Sequence, residues 1–247
     1  MQLVFVHVPK TAGFALHATL EEVFGALNTL QINDDDKLRF LRNSPPERFA
    51  RYNYISGHFD FTDIATKCRP DAVFISILRD PIARILSEYN YMFSSAGHPY
   101  HEGVRRQSLS DYIFGNENHF RGFMCRQLTG FVEASMAVEV IRARYALVGL
   151  KSNLAAFLKR LGALIDKPLC TGEINVTPGQ GRIDLDTSLC ETLLNLTTED
   201  RRLFDAVAGM PDNLFQGNAG RIAPVEPIAV RSRDRHRPIA EGVYQIG

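Results

Sequence analysis

Leu3 to Val8 is a near-continuous apolar run, broken at once by Pro9-Lys10-Thr11-Ala12-Gly13. A run without polar alternation is expected of a parallel strand buried on both faces. After the break, Phe14, Leu16, Leu20, Val23 and Phe24 recur at helical spacing until Gly25 stops them. The pattern predicts strand, loop, helix. It repeats in Ala72 to Leu78 (AVFISIL), which Arg79-Asp80-Pro81 interrupts before Ile82, Ile85, Leu86 and Tyr89 resume at helical spacing. Pro81 suits the first turn of that helix.

Between the two units, Tyr52 to Ser56 reads as a short strand that ends in a Gly57-His58 loop. Further on, Tyr145 to Val148 predicts a strand, Asn153 to Leu164 an amphipathic helix, and Ile174 to Thr177 a brief extended piece before Pro178-Gly179. Thr187 to Leu196 and Glu199 to Val207 read as helices. Alternating strands and helices point to an α/β fold, a mostly parallel sheet covered by helices. From about Gly217 the periodicity dissolves into a stretch rich in proline and arginine. Residues 1–216 are therefore expected to form one domain, and 217–247 a C-terminal arm or extension.

Composition narrows the class. The 247 residues, 45% of them hydrophobic, suffice for one sizeable core, and two full domains would be cramped. Lys plus Arg and Asp plus Glu both number 28, so no bulk charge favours nucleic acid or a membrane surface. Cys68, Cys125, Cys170 and Cys190 are widely spaced and form no CxxC pair or metal-ligand rhythm with histidine. Reduced thiols in the cytoplasm fit that spacing, and no metal is expected. No apolar stretch is long enough to span a bilayer and no secretory leader is evident, so a soluble chain is expected.

The candidate chemistry lies at the strand ends. A strand that turns tightly into a helix gathers free backbone N–H groups and the positive end of the helix dipole at one point, which is an anion site. Gly13 would let backbone approach a phosphate closely, and Lys10 adds a mobile charge. The alternative is a plain turn with a solvated lysine. The loop is not GxxxxGK[ST], because its lysine precedes the glycine and no GK[ST] hydroxyl is present to hold magnesium. In SILRDPIARILSEY, Arg79 at the strand end and Ser87 two turns into the helix are candidates for a second phosphate. Asp80 would pair Arg79 or cap the helix.

Together, VFVHVPKTAG and SILRDPIARILSEY resemble the sulfotransferases that use 3′-phosphoadenosine-5′-phosphosulfate, in particular the carbohydrate O-sulfotransferase branch of the heparan 2-O and chondroitin type. Fainter echoes follow in FRGFMCRQLTG (120–130), YALVGLKSNLAAFLKRLG (145–162), INVTPGQ (174–180) and LTTEDRRLFDAV (196–207), so the likeness covers roughly residues 3 to 208. The resemblance implies a P-loop-NTPase-like sulfotransferase fold. It implies that Pro9, Lys10, Thr11, Ala12, Gly13, Phe14 and Ala15 hold the 5′-phosphosulfate, and that Arg79 and Ser87, with Arg182 or Gln180, reach the 3′-phosphate or adenine. The family loop continues with hydroxyl residues where this chain has Phe14 and Ala15, so the donor is expected to bind more weakly or in a different arrangement, with Thr11 as the remaining hydroxyl. Loss of activity in a nucleotide-binding relative is the alternative.

Sulfuryl transfer needs a cation near the leaving oxygen and a base for the acceptor proton. Lys10 fits the first. For the second, His58 resembles the histidine of the family's GH(V/F) segment, the proposed base in the 2-O-sulfotransferases. His17, Glu21 and Glu22 compete, Asp60 is the expected orienting partner, and His7 reads as a satisfied histidine beside the site. The expected acceptor is a hydroxyl, on a carbohydrate. The cluster His98, His101, Arg105 and Arg106 either receives an anionic sugar chain or is a solvated loop. The rival enzyme class is a kinase-like phosphotransferase on the same strand-loop-helix site.

Overall fold

A computed structural model describes residues 1–169 and 185–217. Its elements, in chain order, begin with β1 (Gln2–Val6), α1 (Gly13–Phe24), β2 (Thr29–Ile32), α2 (Asp35–Asn43), β3 (Tyr54–Gly57), α3 (Phe61–Ile64), β4 (Ala72–Leu78) and α4 (Pro81–Ser94). A helical stretch follows: α5 (His101–Arg105), α6 (Leu109–Gly115), α7 (Glu117–Phe120), α8 (Phe123–Thr129) and α9 (Ala134–Arg144). The chain then runs through β5 (Tyr145–Leu150), α10 (Leu154–Ile165), α11 (Thr187–Leu196), α12 (Thr198–Ala208) and β6 (Leu214–Gln216).

The strands form one sheet in the order β2-β3-β1-β4-β5-β6. All pairings are parallel except β5 with β6. β1 is buried throughout, which is why it reads as an unbroken apolar run. Its alternate residues serve two cores. Leu3 and Phe5 pack with Leu16 and Leu20 of α1 and with Phe157 and Leu161 of α10. Val4 and Val6 lie in the opposite core with Leu128 of α8, Ile141 of α9 and Leu203 of α12. Burying each such side chain is worth about 1.5–3 kcal/mol. A third cluster joins Ile85 and Met92 of α4 to Tyr112, Phe120, Leu189 and Leu193.

Where the structure describes them, the predicted strands and helices fall within two residues of the observed ones, except that α4 runs on from Tyr89, the last position of its predicted spacing, to Ser94. The first strand stops at Val6 rather than Val8, since His7 makes its last sheet bond, donating to the Gly57 carbonyl at 3.0 Å, before the chain turns. The strand read at Tyr52 to Ser56 is Tyr54–Gly57, and the one read at Tyr145 to Val148 runs on to Leu150. β2, α2, α3, the run α5 to α9 and β6 were not legible. β2 and β6 have four and three residues, and α2 is largely charged, so neither period stands out. The extended piece expected at Ile174 to Thr177 and the arm from Gly217 onward, apart from Gly217 itself, lie outside the described residues.

This topology places the site. The chain leaves β1 toward β2 on one side of the sheet order and leaves β4 toward β5 on the other. β1 and β4 are neighbours, so the crevice beyond their carboxyl ends is a topological switch point, where open α/β sheets bind ligands. The two loops read from the sequence stand on either side of it.

Candidate active site

The loop after β1 is held in a conformation that exposes its amides. Lys10 and Ala12 both have left-handed backbones, with φ of 69° and 72°. Such conformations cost of order 1–3 kcal/mol each for residues other than glycine and persist only where the surroundings impose them. Thr11, fully buried, donates its hydroxyl to the Val8 carbonyl at 2.7 Å and so ties the loop closed. The proton expected for a ligand is thereby committed, and what Thr11 offers outward is its backbone N–H. Ala12 stands at the N-cap of α1 without a side-chain cap. Among the described residues no backbone carbonyl accepts from the amides of Lys10, Thr11 or Ala12. Left-handed turns with free successive amides form an anion-binding concavity.

Gly13 has a reason beyond the one expected. A Cβ there would lie 2.0 Å from Nε2 of His7 and 2.2 Å from its Cδ2, so the glycine is needed to make room for an imidazole. The His7 ring is wedged beneath the start of α1, stacked on Phe5 at 5.1 Å and tilted against His58 at 4.4 Å. Burial, followed by the neighbouring His58, keeps His7 far below the usual histidine range, so it is neutral. Phe14 is 73% exposed and Ala15 partly buried, so the two residues that stand where hydroxyls were expected place an apolar ring in solvent.

The second loop locks onto the first. Arg79 Nη1 donates to the Lys10 carbonyl at 3.1 Å, joining the carboxyl ends of β1 and β4. Asp80 acts on Arg79 as a nearby charge but does not pair with it. Its carboxylate accepts from the Ala83 amide at 2.8 Å as the N-cap of α4 and pairs with Arg201 of α12. Ser87 is buried two turns into α4. The Lys10 ammonium rests 3.8 Å above the ring of Tyr91, one turn beyond Ser87. Burial, then the charge of Arg79, brings Lys10 down to about 8 against the opposing pull of Glu88.

His58 lies at the end of β3, beside the same crevice. Its Nδ1 is 3.0 Å from the His7 carbonyl. A carbonyl only accepts, so Nδ1 carries the proton and Nε2 keeps its lone pair, the tautomer a general base requires. Burial lowers the His58 pKa below 6.5, and the hydrogen bond to the His7 carbonyl and the Glu88 charge only partly oppose this. The base is therefore free at neutral pH. The same carbonyl accepts from Gln127 Nε2 of α8 at 3.1 Å. Asp60, expected to orient His58, instead stands at the N-cap of α3 with its amide donating to Asp63 at 3.3 Å; the orienting group is the His7 carbonyl. Of the competing bases, His17 is turned to Ser56, 2.8 Å from Nδ1, and to Glu21, 3.9 Å from Nε2, while Glu22 is exposed.

The structure thus brings Lys10, Arg79 and His58 to one end of the sheet, with the amides of residues 10–12. Arg182 and Gln180 lie outside the described residues. Sequence reasoning missed Tyr91, Glu88 and Gln127. Helical spacing from Ser87 to Tyr91 and the i,i+4 pair Arg84 and Glu88 were available signals; nothing local marks Gln127. His101 is buried and bonded to the Met92 carbonyl at 3.0 Å, whereas Arg105 and Arg106 are exposed.

No family model matches the chain. It is similar to heparan sulfate 2-O-sulfotransferase 1 of Xenopus laevis, 28% identical over 44% of this chain and 33% of that protein. Against heparan sulfate 2-O-sulfotransferase 1 of Homo sapiens the identity is 26% over 45% of this chain and 34% of the other. The match therefore spans about a third of the length of these curated relatives. Among solved structures, mouse sulfotransferase SULT7A1 complexed with PAP aligns over 85% of this chain and 66% of that one, with 15% identity and a TM-score of 0.38, too low to carry weight.

Proposed function

We propose that this chain is a sulfotransferase that moves the sulfuryl group of 3′-phosphoadenosine-5′-phosphosulfate to a hydroxyl of a carbohydrate. The single observation that carries the reading is the pairing, at one switch point, of a nest of free amides and two cations that, among the described residues, have no carboxylate at ion-pair distance, with a histidine whose tautomer is fixed for proton abstraction. The resemblance of both loops to the sulfotransferase motifs, and the similarity to the 2-O-sulfotransferases, support the same chemistry.

The donor supplies an activated sulfuryl group and a phosphate leaving group. The chain's residues supply the rest. The amides of residues 10–12 and the Lys10 ammonium hold the 5′ end and stabilise charge growing on the leaving oxygen. Arg79 fixes the loop by its bond to Lys10 and offers its remaining donors to the 3′-phosphate. His58 Nε2 accepts the acceptor's proton as the hydroxyl oxygen forms its bond to sulfur. Tight placement of these groups provides most of the acceleration, as in phosphoryl transfer.

A second reading, a nucleotide-binding relative without activity, is favoured by one observation, the exposed Phe14 and the Ala15 beside the nest. Residues 1–216 are proposed as the catalytic unit, with 217–247 as an arm, in the reducing environment of the cytoplasm, which suits the free thiols Cys68, Cys125 and Cys190. Incubation with radiolabelled donor and a panel of glycans, including desulfated heparan chains, separates the readings. Label on a glycan hydroxyl supports transfer; tight binding of adenosine 3′,5′-bisphosphate with no label on any acceptor supports the inactive relative; magnesium-dependent phosphate transfer from ATP supports a kinase.

A further inference from the structure

The cations of the site extend one strand further than the two motifs. β4 and β5 pair in parallel with Leu78 opposite Leu150, so Arg79 and Lys151 leave the sheet side by side. Lys151 opens a short 3-10 turn at the carboxyl end of β5 and is partly buried. Lys10, Arg79 and Lys151 thus come from the ends of β1, β4 and β5, three adjacent strands.

Among the described residues, none of the three has a carboxylate at ion-pair distance. The two nearest acids in sequence to Arg79 and Tyr91 are committed elsewhere, Asp80 to Arg201 and the α4 N-cap, Glu88 to Arg84. Three cations partly withdrawn from water, with Glu88 and Asp80 acting on Lys10 and Arg79 only from beyond ion-pair distance, are an arrangement that an entering anion relieves. Burial lowers the pKa of all three. Arg79 adds to it for both lysines, Lys151 adds less to Lys10 than Glu88 takes away, and Arg79 itself is lowered by burial against the pull of Asp80.

We propose that Lys151 is a third donor-binding cation, sharing with Arg79 the 3′-phosphate of the nucleotide. The inference rests on the donor reading above. Arg79 meets the phosphate with a planar fork and Lys151 as a point charge from the neighbouring strand. A charged hydrogen bond of this kind is worth roughly ten- to a hundredfold in affinity.

Calorimetric titration of adenosine 3′,5′-bisphosphate and, in parallel, adenosine 5′-monophosphate into wild type, Lys151→Gln and Lys151→Glu tests it. Lys151→Gln is expected to weaken the bisphosphate roughly tenfold and Lys151→Glu more, with the monophosphate changed less than about twofold. Lys159→Gln, a change at an exposed lysine of α10, serves as the charge control and is expected to leave both affinities alone. In the ligand-free protein, NMR titration of the Lys10 amine is expected to move above about 8 in Lys151→Gln, which places Lys151 close enough to Lys10 to share one anion. If wild type binds the bisphosphate and Lys151→Gln binds it equally well, this inference alone falls. Equal weakening of both nucleotides removes the 3′ assignment and overturns it too. If wild type binds no bisphosphate, the donor reading itself falls.

Discussion

The nest at residues 9–13 and the helix interior at residues 84–88 come from the same kind of unit, a buried strand that turns into a helix and sets a cation near its start. Their electrostatic provision is opposite. The start of α4 is closed by the Asp80 carboxylate, and the buried Arg84 that follows pairs with Glu88 and stacks 4.4 Å over Phe123. Glu88 also faces His119 at 3.7 Å. Burial pushes the Glu88 carboxyl up, yet Arg84 and His119 overcome it and hold it at about 2. The start of α1, by contrast, is capped by Ala12, and Lys10 rests on the face of Tyr91 with no carboxylate at ion-pair distance among the described residues. A buried cation provided with its own carboxylate belongs to the fold. A cation left without one, beside free amides, is the arrangement that the proposed donor site calls for.

The sharpest break of this contrast is Glu88→Gln, which keeps the shape but strands Arg84 at 1% exposure. Unfolding in urea should show a loss of about 3–5 kcal/mol. Because the folded carboxyl titrates well below an unfolded glutamate near 4.3, its contribution is present above about pH 4.3 and fades as pH falls toward 2. Urea curves across that range should flatten in the variant relative to wild type.

Lys10→Ala should do the reverse: kcat/KM should drop by about a hundred- to a thousandfold while the urea midpoint stays put. A midpoint shift as large as that of Glu88→Gln would erase the distinction between the two regions.

The pH profile of kcat/KM sharpens it further. His58 must be neutral and its pKa lies below 6.5, so the rate should rise through an acid limb beneath that value. Lys10 must be charged, so the rate should fall through about 8. Lys10→Arg, charged at all accessible pH, should remove the alkaline fall in whatever activity it retains.

The smallest effect concerns what steadies Lys10 before a ligand arrives. Tyr91→Leu should raise the dissociation constant for the bisphosphate by about two- to fivefold, the worth of a surface cation–π contact, whereas Tyr91→Phe should match wild type. Equal losses in both variants would assign the effect to the hydroxyl instead of the ring.

By itself the sequence determined the local units. Strand and helix periods and the punctuation by Pro9, Gly25 and Pro81 are local signals, and they were enough to put Lys10, Arg79 and His58 at strand ends. Partners distant in the chain were decided only by the tertiary structure. Sheet order makes β1 and β4 neighbours, which lets Arg79 reach the carbonyl of Lys10, 69 residues away, and sets Lys151 beside Arg79. The orienting partner of His58 is the carbonyl of His7, 51 residues away, not Asp60 two positions on, because the parallel pairing of β1 with β3 brings those backbones together. Gly13 likewise answers to the His7 ring packed beneath it, a contact that no spacing rule contains. Side-chain periodicity reports which face of an element is buried; it carries no record of which other element arrives there.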